Sequence, residues 1–138
     1  MNKRNLIKTL IGAVGLGLSP LAMGKKHKRN SGGNSRPLLV QVSPLAGFQF
    51  YEGERLWPRM KPGNKVGLRR APWNKHDGRA VEVWWHGNML GHLPRQENTA
   101  VSQMMDRGNR LHGVIVAMNE SHNPWERIAL EVWHDSGM

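Results

Sequence analysis

Apolar and polar positions alternate most clearly between Val66 and Trp85. Val66 and Leu68 alternate with Gly67 and Arg69, and Val81, Val83 and Trp85 alternate with Glu82 and Trp84. A period of two is the signature of a strand with one buried face, so this stretch predicts two strands. The segment between them, Pro72-Trp73-Asn74-Lys75-His76-Asp77-Gly78, is rich in residues that turn chains and hydrogen-bond their own backbone. It predicts a polar connection carrying an aromatic ring, an imidazole and a carboxylate on rigid supports, which is the usual setting of a binding site.

The same reading extends in both directions. Leu38–Val42 predicts a strand, Pro44-Leu45-Ala46-Gly47 a turn, and Phe48–Tyr51 a second short strand. Trp57-Pro58 and Lys61-Pro62-Gly63-Asn64 punctuate a loop before the central pair. Beyond Trp85, the His86-Gly87-Asn88 turn leads into a strand ending at Leu93, and Pro94 suits the first turn of a helix. Val101, Met104 and Met105 recur at helical spacing until Gly108 stops them. Leu111–Met118 and Arg127–Trp133 complete the set as strands. The expected fold is mainly β: about six short strands, one or two short helices, and a small OB-like barrel, closed or partly closed so that few sheet edges are exposed.

Residues 1–36 lack this alternation. Residues 1–24 follow the order of an export signal: Lys3 and Arg4, an apolar run from Leu10 to Leu18, then the small residues of Ala22-Met23-Gly24. The run is shorter than the roughly 20 residues a bilayer span requires. Lys3-Arg4-Asn5-Leu6-Ile7-Lys8 resembles a twin-arginine signal with lysine in the first place, for an exported or periplasmic protein; the alternative is a disordered or interfacial N-terminal tail on a cytoplasmic one. Residues 25–36 read as a basic linker and 37–138 as the domain.

The formal charge of +10 is unevenly placed. The linker carries five cations and no acid, whereas residues 37–138 hold 12 cations against 10 acids. Inside the domain, the stretch from Arg55 to Arg79 has eight cations and one acid, Asp77, which is a local basic patch. Cysteine is absent, excluding disulfides and thiolate metal sites. The seven histidines form no His-x-His or His-Glu-x-x-His cluster, no serine lies in a nucleophile elbow, and no glycine loop cradles phosphate ahead of a helix. No catalysis, metal or cofactor is expected. Binding of single-stranded nucleic acid is better supported, because bases stack on aromatic faces while cations follow the phosphates. Phe50, Tyr51, Trp73 and His76 are candidate platforms, and Arg69, Arg70, Lys75 and Arg95 candidate phosphate partners. Phe50 and Trp73 could equally be core, Asp77 a turn cap or a partner for Arg79, and His92 a surface imidazole.

Residues 38–134 resemble the HIRAN domain, a module of helicase-like DNA translocases that also occurs as a stand-alone bacterial protein. The resemblance runs from Val40 through Gly47-x-x-x-Tyr51-x-Gly53 and Leu68-Arg69-Arg70-x-Pro72-x-Asn74-x-x-Asp77-x-x-Ala80-Val81-x-Val83 to Leu90-Gly91-His92-Leu93-Pro94-Arg95. It implies an OB-like barrel that takes the 3′ end of single-stranded DNA, with bases between aromatics, the 3′-hydroxyl on the loop aspartate and basic groups on the phosphates. Carried over, Phe50 and Tyr51 match the first aromatics, Asn74 and Asp77 the loop, and His92 and Arg95 the phosphate side. Gln49, Lys75 and His76 depart from the arginine, proline and tyrosine usual there. The expected function is recognition of single-stranded DNA with a free 3′-hydroxyl. The alternative is an exported cell-envelope barrel that binds a glycan or a protein partner.

Overall fold

A computed structural model of the chain describes residues 36–135; the expected signal over 1–24 and nearly all of the linker lie outside it. Six strands form one antiparallel sheet among the described residues: β1 (Leu38–Pro44), β2 (Lys65–Arg70), β3 (Val81–Trp85), β4 (Asn88–His92), β5 (Leu111–Met118) and β6 (Ile128–His134). Their order across the sheet is β1-β6-β5-β2-β3-β4. The first strand therefore pairs with the last, Leu38 opposite His134 and Pro44 opposite Ala129. Two helices accompany them, α1 (Gly53–Leu56) and α2 (Thr99–Asp106). No helix among the described residues is long and apolar enough to cross a membrane.

The alternation read from the sequence places the core. Val81, Val83 and Trp85 of β3 point inward, as do Ile128, Leu130 and Val132 of β6. They meet Leu45, Phe48, Leu56, Leu90, Val101 and Ile115 in one buried cluster. The sheet then curls until its two edges touch. Just beyond β1, Ala46 bridges His92 at the end of β4, and each backbone N–H donates to the other's carbonyl at 2.9 Å. This pair of bonds is the seam of the barrel.

Two local expectations are corrected. Phe48–Tyr51 is no strand: Phe48–Phe50 forms a 3₁₀ turn. Gly47, at φ 75°, swings the chain away from β1, and Phe50 N–H returns to Gly47 O at 3.0 Å. The Phe48 ring lies against Gly53 and edge-on to Trp57 at 5.7 Å, with Arg127 4.9 Å from its face. Burying Phe48 sets this conformation, and a two-residue alternation of aromatics cannot reveal it. Pro94 likewise is not in the first turn of the long helix. It is extended (φ −57°, ψ 140°), a 3₁₀ turn covers Arg95–Glu97, and α2 starts only after Asn98.

Candidate nucleic-acid interface

The connection between β2 and β3 is built by its own hydrogen bonds. Ala71 N–H donates to Ala80 O at 3.0 Å, closing the neck, and the register behind it is Arg70 opposite Val81. Asn74 folds its side chain inward: Oδ1 accepts from His76 N–H at 2.8 Å and Asp77 N–H at 3.2 Å. Asp77 then caps the exit, its Oδ1 accepting from Arg79 N–H at 2.9 Å. Arg70 braces the loop from below. Its Nη1 donates to Ala80 O at 2.7 Å, its Nη2 to Gly78 O at 2.9 Å, and its Nε to Asp106 Oδ1 at 2.9 Å. Arg70 is thus spent on holding the loop to α2 rather than offered to a phosphate.

This bracing presses one side of the loop against the barrel seam and leaves a cleft of about 300 Å³. Tyr51, Asn74, His76, Asp77, His92 and Arg95 line it, with Ala46, Ala80 and Leu93 as floor and wall. Six of the ten candidate residues thus converge from three segments far apart in sequence. Tyr51 meets His92 edge-to-face at 5.5 Å and is 39% exposed. Gln49, Phe50, Lys75 and Arg69 do not line the cleft. Phe50 stands 76% exposed outside it, and Gln49 and Lys75 are also exposed. Arg69 turns the other way, its guanidinium 5.4 Å from the Trp73 ring centre and 5.9 Å from that of Trp84. A larger recess of about 460 Å³ near Glu54, Trp57, Glu120 and Arg127 has its cation already paired, Arg127 to Glu54 at 2.6 Å.

The charges of the cleft differ in kind. Burial raises the Asp77 pKa, but the Arg79 N–H bond, the Asn98 bond and the nearby Arg95 and Arg79 charges outweigh it, holding the carboxyl below its ordinary 3.8. Asp77 is therefore an anion throughout the physiological range, an acceptor that no proton occupies. Burial holds the His92 imidazole below its ordinary 6.5, against the opposing pull of Glu82 and Asp77. His92 is neutral at pH 7.

Sequence reading overlooked Asn98. It is fully buried, and its Nδ2 donates to Asp77 Oδ2 at 2.7 Å, 21 residues away along the chain. Each carboxylate oxygen of Asp77 is thereby held by one donor, Oδ1 by Arg79 N–H and Oδ2 by Asn98. Both keep lone-pair capacity toward the cleft. Nothing in the spacing of Asn98 marks this role; it follows from where α2 begins. Among the described residues no group of three or more His, Asp or Glu side chains is arranged to hold a metal ion.

Comparison with known proteins agrees with this architecture. The crystal structure of a protein from Lactobacillus plantarum superposes with a TM-score of 0.63 at 22% identity, covering 72% of this chain and 95% of that one. The crystal structure of the HIRAN domain of human HLTF gives 0.54 at 22% identity, covering 75% of this chain and 84% of that one. No curated protein matches the chain. The sequence model of the HIRAN domain matches residues 38–136, the whole barrel with its loop and seam, and the chain belongs to the HIRAN domain family.

Proposed function

We propose that the cleft receives the free 3′-hydroxyl end of single-stranded DNA and that the domain binds without catalysing a reaction. HIRAN domains are nucleic-acid-binding modules, and the likeness to the HLTF HIRAN domain supports that class of ligand here. The observation that carries the finer reading is the state of Asp77: an ionised carboxylate, fixed by two donors, in the lining of a cleft that also holds an aromatic and a cation. Such a group accepts a hydroxyl proton and repels a phosphate, so a strand that ends is favoured over one that continues. Tyr51 supplies a stacking face for the terminal base, and Arg95, exposed at the mouth, reaches the first phosphate.

The test is fluorescence anisotropy with one labelled oligonucleotide carrying either a 3′-hydroxyl or a 3′-phosphate. The hydroxyl end should bind at least several-fold tighter. Equal affinities would remove end capture, and no binding of either strand at low salt would put the envelope-ligand alternative ahead.

A pH series checks the phosphate side. A neutral His92 beside a phosphate gains a proton more readily in the complex than in the free protein, so binding takes up protons as pH falls toward the lowered pKa of the free imidazole. Affinity should rise as pH falls from about 7.5 to 5.5, by at most about tenfold per unit for one proton. Asp77 does not titrate in that window. Folding has the opposite sign: with its folded pKa lowered, His92 contributes full stability above 6.5, and stability falls as pH drops below it. His92→Gln should flatten the binding profile, and His76→Gln is the control because His76 lines the same cleft. A profile unchanged by His92→Gln would take His92 off the phosphate path.

A further inference from the structure

The outer face of β2 and β3 carries a second feature that the end cleft does not use. Cross-strand partners share a face, and Arg69 stands opposite Glu82, which stands opposite His92. Arg69, Glu82 and His92 thus form one row across three strands, leading from the cleft to the far side of the loop. Neighbouring strands lie about 4.8 Å apart, so Arg69 is about 10 Å from His92 along that row. Over it the loop lays Trp73, 63% exposed, and β3 contributes Trp84 two residues beyond Glu82. The guanidinium of Arg69 sits within 6 Å of both ring centres. The one acid of the row is engaged: Glu82 lies 3.9 Å from Arg69 Nε and accepts from Trp84 Nε1 at 3.2 Å. A large indole left exposed and propped by a cation is a flat, apolar platform, and it stands one residue from Asn74, which lines the cleft.

We propose that this Trp73 platform is a second contact surface for single-stranded nucleic acid, stacking a base of the strand that leads into the cleft and doing so whether or not that strand has a free 3′ end. The inference rests on the nucleic-acid part of the functional reading but not on end capture. Continuity decides the occupant. Trp73 belongs to the same braced loop as Asn74 and Asp77, and the row from His92 to Arg69 runs straight from the end site to the platform. Stacking tolerates any base, so no sequence preference follows. Because Glu82 already offsets Arg69, the platform contributes contact more than charge, and its loss should leave the salt dependence of binding unchanged.

The experiment compares wild type with Trp73→Ala and Trp73→Phe on a thymidine dinucleotide and on thymidine decanucleotides ending in hydroxyl or in phosphate. Trp73→Ala should weaken both decanucleotides about tenfold, the usual worth of one stacked base, and Trp73→Phe should restore most of it. The dinucleotide, too short to leave the cleft, should bind wild type and variant alike. A Trp73→Ala protein that binds decanucleotides as wild type does, or loses the dinucleotide equally, overturns the platform. So does a loss that Trp73→Phe shares and that tracks a lower melting temperature, since Trp73 would then only hold the loop. If the phosphate-ended decanucleotide binds through Trp73 while hydroxyl and phosphate ends are equal, the platform stands and end capture falls. No binding of any strand at low salt removes both.

Discussion

Replacing Asp77 with alanine should weaken binding of a 3′-hydroxyl strand by roughly tenfold or more, because losing a charged hydrogen-bond partner costs about 1.5–3 kcal/mol. The same change should leave a 3′-phosphate strand unaffected or slightly favoured, since a like charge at hydrogen-bond range is removed. The preference between the two ends therefore collapses. Arg95→Ala should instead weaken both strands alike, because the phosphate it reaches is common to them. The competing view makes Asp77 a turn cap alone, and the structure shows that its side chain does cap, Oδ1 accepting from Arg79 N–H at 2.9 Å. Loss of a cap costs about 1 kcal/mol of stability. Losing the Asn98 bond adds to that, leaving a fully buried amide donor unpartnered. A melting shift is thus expected under either view and decides nothing. The end preference decides. A variant that melts earlier but still separates hydroxyl from phosphate as wild type does would retire the carboxylate from end recognition. Asp77→Asn refines the point: it keeps the shape and an acceptor, so it should lose discrimination against phosphate more than affinity for hydroxyl.

The hairpin and its loop were legible because their information is local. The alternation around Val83 sets which side chains enter the core, and the Asn74 and Asp77 turns are closed by bonds spanning two or three residues. The cleft itself was legible only through resemblance, since nothing local says that Tyr51 and His92 come to lie beside Asp77. They meet because Ala46 seams to His92, a contact that closes the sheet over nearly fifty residues. Three things were not legible. The pair Phe48 and Phe50 differ in fate, one fully buried and one 76% exposed, through the space that Gly53 leaves for the Phe48 ring. The pairing of β1 with β6 depends on the two ends of the domain meeting. Asn98 acquires its bond to Asp77 from the short turn that displaces α2 beyond Pro94. Each is a tertiary decision between options that sequence periodicity leaves equal.

The seam offers the largest expected effect on stability. Gly91 lies next to His92 on β4, opposite Val83, at φ 155°. A Cβ added there would lie inside the van der Waals envelope of Ala46 O, 3.3 Å from Ala46 C and 3.2 Å from Leu45 Cδ1. The obstacle is backbone, which cannot swing aside as a side-chain tip would. Ala46 must move, and both 2.9 Å bonds to His92 go with it. Overpacking and backbone strain each cost about 1–3 kcal/mol, so Gly91→Ala should lose about 2–6 kcal/mol. That is a large share of the 5–15 kcal/mol typical of a domain, about 10 °C or more of melting temperature. Gly78→Ala is the matched control: its Cβ would meet nothing within 4 Å and its φ is ordinary, so it should be neutral or slightly stabilising. Because His92 and Tyr51 share the displaced edge, Gly91→Ala should also lose affinity for the hydroxyl end at temperatures where the protein is still folded, while Gly78→Ala keeps it. A Gly91→Ala protein that melts and binds like Gly78→Ala would mean that the sheet does not depend on its seam, and that the cleft is assembled by the loop alone.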